Sequence, residues 1–192
     1  DARRARAFLL GFGRAARSRR ARRGVSAVEF ALAAPALLAM MLGVAEVGRF
    51  IWIEMKVQNA ASRIGDIVAR SNPASPEDIE ALTAVLPAIL SPFYREDATR
   101  LIVSGVARPD ADSEARVSWR SERGGLESES AVGALGDAAT VPDGLVRIGG
   151  DALIVSEIAF RYEPWLIGIV EGATLRETTY HRPRRAPLTQ LE

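Results

Sequence analysis

From Val25 to Ala45 the chain reads VSAVEFALAAPALLAMMLGVA, 21 residues with a single charge, Glu29. At a helical rise of ~1.5 Å per residue this run is about 31 Å long, the thickness of a hydrocarbon core of ~30 Å. Its apolar residues surround the helix axis instead of forming a stripe, which suits a membrane span better than a helix of a small soluble domain. Nine arginines and one acid lie in residues 1 to 24. Arginine on that side predicts a cytoplasmic N-terminus, with everything after about Phe50 outside. The apolar run exceeds the ~7–15 residues of a signal peptide, and no clean A-x-A site follows it. Pro35 removes one backbone hydrogen bond and is expected to bend the helix.

Past the span, Phe50, Ile53, Val57, Ala60, Ile64 and Ile67 recur at spacings of three and four and form one apolar seam. Glu54, Lys56, Asn59, Arg63 and Asp66 occupy the other faces. The helix is expected to stop near Arg70, before the turn-rich SNPASP. A second helix is expected over Pro76 to Leu90, with Ser75 as N-cap and Glu77 and Asp78 in its first turn. Strand-like runs follow at Arg100 to Ala107, Ala115 to Arg120, Ala152 to Tyr162 and Thr174 to His181. Ser121 to Gly150, rich in Gly, Ser and acids, reads as a mobile or partly ordered loop. The predicted fold is α+β: a long N-terminal transmembrane helix continuing into an amphipathic helix, then a short helix and a small antiparallel β-sheet. The expected organisation is a basic cytoplasmic leader over 1–24, the span and its continuation over 25–70, and an extracytoplasmic α+β domain over 71–192. Asp1 in place of methionine is consistent with a trimmed or fragmentary start.

Immediately before the span the sequence reads RRARRGVSAVEFALAAP, which resembles a type IV prepilin processing site. The resemblance implies a cut between Gly24 and Val25 by a prepilin peptidase, with Glu29 as the fifth-position glutamate of the mature chain and Phe30 as the aromatic residue after it. The residue types make chemical sense. Glycine leaves the peptide unhindered, and a carboxylate one turn from the new amine at Val25 can meet that amine, its own or a neighbour's, in lipid. Glu29 would then guide subunit docking. The alternative for Glu29 is an acid near the interface that needs no partner, and for Gly24 a flexible junction before a helix.

Two longer stretches narrow the resemblance to the TadE-like minor pilins of the tight-adherence pilus. GVSAVEFALAAPALLAMMLGVAEVGRFIWIEMKVQNAASRIG is similar to that family's N-terminal signature. IAFRYEPWLIGIVEGATLRETTYHRPRR, ending in Arg182, Pro183 and Arg184, resembles its closing pattern. The likeness covers about residues 20 to 70 and 155 to 185. It implies a bacterial inner-membrane subunit, possible incorporation in the pilus, and no catalytic activity. The implied partners are the prepilin peptidase, the secretion platform with its ATPase, and other pilins through helix packing. The competing reading is an uncleaved single-pass protein whose outer domain binds a ligand or senses a signal.

Other chemistry is poorly provided for. Without cysteine, disulfides, thiolate metal sites and cysteine nucleophiles are excluded. His181, the single histidine, reads as a strand-end residue instead of a triad or metal-site member. Glu77 and Asp78 are explained by the helix dipole, and Glu127, Glu129 and Asp137 match no EF-hand spacing. No phosphate-binding glycine loop is complete, so neither cofactor nor small-molecule substrate is expected. The arginine-rich leader is explained by topology and anionic lipid instead of nucleic acid. Phe50 and Trp52 suit the outer membrane interface, and Trp165 reads as core or surface packing.

Overall fold

The computed structural model describes residues 2–71, 75–165 and 170–184, with side chains along the first helix described from Val25 onward. The elements are α1 (Ala2–Ser71), α2 (Pro76–Thr83), α3 (Leu86–Leu90), a 3₁₀ turn (Glu96–Ala98), β1 (Thr99–Ala107), β2 (Arg116–Arg123), β3 (Ala152–Tyr162) and β4 (Ala173–His181). They divide into two compact units, Asp1–Glu46 and Val47–Glu192. The class is α+β, as the sequence patterns predict.

In the first unit the helix runs through Pro35 without a break. Val28, Phe30, Leu32, Leu37, Leu38, Met40, Met41 and Val44 all stand exposed. These positions point in every direction around the axis, so no single face is set aside for a soluble core.

In the second unit the α1 seam buries Ile53, Val57, Ala60 and Ile64 as expected, but Val68 replaces Ile67 as the next buried position. With about 100° per residue, four residues past Ile64 return within about 40° of its direction, whereas three fall about 60° short. The seam packs with Ile79, Leu86 and Leu90 of the two short helices against Leu101, Val103, Trp119, Ile154, Ile158, Phe160 and Tyr162 of the sheet. The sheet is antiparallel throughout, in the order β2-β1-β3-β4. Its two hairpins meet along the central β1–β3 pair, where Leu101 faces Ile158 and Gly105 faces Ile154. Trp119 lies over Gly105, where an added Cβ would come within 2.0 Å of the indole Nε1.

The expected helix from Pro76 to Leu90 is two helices. Ser75 caps α2: its Oγ accepts from the Asp78 N–H at 3.3 Å, and the Asp78 carboxylate accepts from the Ser75 N–H at 3.1 Å. Pro87 lacks an N–H, and its ring conflicts with the carbonyl four residues before it, at Thr83, where α2 ends. The chain then restarts with Pro87 in the first turn of α3.

The segment after β2 departs further from expectation. β2 itself extends to Arg123, and the stretch beyond it covers the sheet face opposite α1. Val132 and Val146 join Val106, Val117, Leu153 and Val155 in a second apolar cluster. The Glu157 carboxylate, 8% exposed on β3, accepts from Ser130 Oγ and from the Ala131 N–H at 2.8 Å. Backbone bonds from the Gly136 N–H to the Val117 carbonyl and from the Val117 N–H to the Asp137 carbonyl complete the attachment. The segment is therefore a packed layer rather than a free loop, because a sheet with two apolar faces needs cover on both.

Candidate functional site

Gly24 and Val25 both lie within α1, so the proposed scissile bond sits on helical backbone. Val25, Glu29 and Phe30 are exposed. Glu29 follows Val25 by four residues, one turn on the same helix face, close enough for its carboxylate to meet an amine freed at Val25. Among the described residues, none holds Glu29 by a hydrogen bond or ion pair, so the carboxylate is available to a partner. A charge on an otherwise apolar, exposed helix is costly in lipid unless it is paired, which gives Glu29 a strong preference for cationic company.

Around the end of α1 the closing residues of the chain gather. The His181 ring lies against Gly65, where a Cβ would stand 2.4 Å from Cδ2 and 2.7 Å from Nε2. Its Nε2 is buried and has no hydrogen-bond partner among the described residues. Burial pushes the His181 pKa down, partly opposed by the nearby Asp66 carboxylate. Asp66 is itself held below the usual carboxylate range, first by its hydrogen bond from Arg70 and also by Arg184. The Arg70 Nε–Asp66 Oδ1 distance is 2.8 Å. Arg184 donates its backbone N–H to the Ala69 carbonyl at 3.0 Å, satisfying one of the carbonyls left open at the helix end. The Arg182 guanidinium reaches the Leu145 carbonyl at 3.1 Å. The Arg-Pro-Arg ending thus fastens the last strand to α1 and to the covering segment, and His181 is a strand-end packing residue.

At the opposite end of β3, Phe50 and Tyr162 meet edge to face with centroids 5.1 Å apart, and Trp52 meets Phe93 likewise at 5.0 Å. Arg49 donates to the Glu163 carbonyl at 3.1 Å. Trp165, a packing candidate from its sequence, is 74% exposed. Among the described residues no cluster of His, Cys, Asp and Glu is arranged to hold a metal ion.

The sequence signature agrees with an independent family comparison: residues 24–65 match the model described as TadE-like protein. The chain carries a TadE-like segment. No curated protein and no solved structure matches it. The TadE-like segment opens on Gly24 and closes on Gly65, the glycine that receives the His181 ring. It contains the apolar run, within the single helix among the described residues long and apolar enough to cross a membrane. That helix fits a membrane anchor, and the segment associates the chain with the tight-adherence pilus system. The TadE-like match stops before the sheet, so the roles of β1 to β4 rest on their own geometry. Sequence reasoning missed Glu157 and Gly65 as anchoring positions. Their partners lie more than twenty residues away in the chain, beyond the reach of any local pattern.

Proposed function

We propose that this chain is a minor pilin or pseudopilin of the tight-adherence pilus, anchored in a bacterial inner membrane by one span with its N-terminus in the cytoplasm. The sheet domain stands outside. A prepilin peptidase cuts between Gly24 and Val25, and the freed amine and Glu29 then direct packing of the helix beside those of other pilins at the secretion platform. The chain performs no catalysis; it acts by adhesion-pilus assembly, in which an exposed apolar helix is the working surface. The observation that carries this reading is the placement of Glu29, exposed and one turn after Val25, at the opening of the TadE-like match.

Intact-mass and N-terminal sequencing of the protein from its native membrane test it, beside a Gly24→Ala variant and a strain without prepilin peptidase. The expected outcome is a mature start at Val25 that disappears in both controls. Retention of the arginine leader in the wild type would sink the pilin reading and favour an uncleaved anchored protein that binds a ligand or senses a signal.

A further inference from the structure

We infer that the end of the sheet domain carrying Arg49, Arg161 and Trp165 is a phospholipid-docking surface, whose groove takes a lipid phosphate from the membrane that the apolar helix spans. The inference rests on the membrane-anchor reading above.

The groove has a volume of about 320 Å³ and is lined by Arg49, Phe93, Arg95, Arg161, Glu163, Pro164 and Trp165 among others. Three guanidinium groups therefore border it against one carboxylate. That carboxylate is engaged: Glu163 Oε2 accepts from Arg95 Nη1 at 2.7 Å, and Arg95 also pairs with Asp97. Arg161 is exposed and, among the described residues, makes no hydrogen bond or close ion pair. It acts by charge on Asp97, whose carboxyl is held below the usual range first by the hydrogen bond from Arg95 and more weakly by Arg161. It leaves a planar donor fork of the kind that binds phosphate, beside a groove whose other charges are largely paired.

The aromatic residues point the same way. Trp165 is 74% exposed and Trp52 is 50% exposed. Each has an apolar ring body with one polar N–H, the combination that is enriched where hydrocarbon meets water. Trp52 is seated on Phe93, and Phe93 lines the groove, so both indoles belong to one surface.

Chain distance supplies the partner. Arg49 lies four residues after the apolar run ends at Ala45, so the chain holds it within about 14 Å of that end whatever the arrangement of the two units. The headgroup region on each side of the hydrocarbon is about 5–7 Å deep. The headgroups are therefore within reach of Arg49, and its bond to the Glu163 carbonyl keeps Glu163 beside it. An arginine groove rimmed by exposed tryptophan and tied this closely along the chain to the span matches phosphate and glycerol chemistry, and a cationic site gains further from anionic lipid.

The full chain reconstituted in vesicles of phosphatidylcholine and phosphatidylglycerol provides the test. One variant keeps Trp165 alone, through Trp52→Phe and Trp119→Phe, and a second keeps only the buried Trp119. Lipids brominated at shallow and deep positions serve as quenchers, and alkali extraction reports whether the chain is integrated. The expected result is an integrated chain whose Trp165 emission is blue-shifted and lost with shallow bromines, while Trp119 is unaffected. Adding Arg161→Gln to the Trp165-only variant should reduce the quenching and its dependence on phosphatidylglycerol. An integrated chain with Trp165 unquenched at every depth overturns the docking surface alone, and leaves that groove to a protein partner. A chain that alkali strips from the vesicles overturns the anchor reading and the docking surface together.

Discussion

A methyl group has no room at Gly65. Added there, it would overlap the His181 ring and press to 3.3 Å from Ser156 Cβ, so Gly65→Ala should force β4 away from α1. Overpacking of this kind costs about 1–3 kcal/mol, which a lowered unfolding midpoint of the detergent-solubilised chain would show. The same histidine gives the fold a pH dependence of known sign. Because burial holds its folded pKa below the ordinary 6.5, the unfolded chain takes up a proton that the folded chain resists. Stability is therefore full above the unfolded pKa and falls as pH drops from about 6.5 toward the folded value, below which the loss is constant. Replacing it, as His181→Gln, should flatten the melting temperature between about pH 7.5 and 5.5; an unchanged slope would place the titrating group elsewhere.

The covering segment after β2 behaves as an element although it has little regular structure, because it is fastened at Glu157. Glu157→Ala leaves the Ala131 N–H and the Ser130 hydroxyl without their acceptor. The expected cost is about 1–3 kcal/mol, and limited proteolysis should move to residues 124–146. If cleavage there is no faster than in the wild type, the apolar cluster of Val132 and Val146 holds the segment unaided. The seam of α1 is a stronger determinant. Ile64 is fully buried between helix and sheet, and Ile64→Ala should cost about 2–5 kcal/mol in a denaturant titration. By comparison, Ser75→Ala removes a single cap bond and should cost about 1 kcal/mol.

For the molecule as a whole, α1 supplies both the exposed apolar surface of the first unit and the core seam of the second. This continuity lets one element serve as anchor and as scaffold. Under the proposed pilin function, processing and assembly can be tested separately. Glu29→Gln keeps the glycine at the cut but removes the charge that would pair with the Val25 amine. Cleavage should continue, while recovery of the chain with other pilins after cross-linking should fall. Normal recovery of the variant would mean that Glu29 is a plain interfacial acid.

The span, the seam from Ile53 to Ile64, the Ser75 cap and all four strand positions are readable from residue order, since each is written in periodicity or in a capping pattern within a few neighbouring residues. The TadE-like signature is legible for the same reason: it is a contiguous string. The exchange of Ile67 for Val68, the break before Pro87 and the packing of the covering segment depend on which surfaces the neighbouring elements offer. The meeting of Gly65 with His181, the seating of Glu157 under Ser130 and the exposure of Trp165 join residues distant in the chain or depend on what the fold leaves uncovered. Such contacts leave no trace in local spacing, because burial is decided by the partner surface and not by the residue itself.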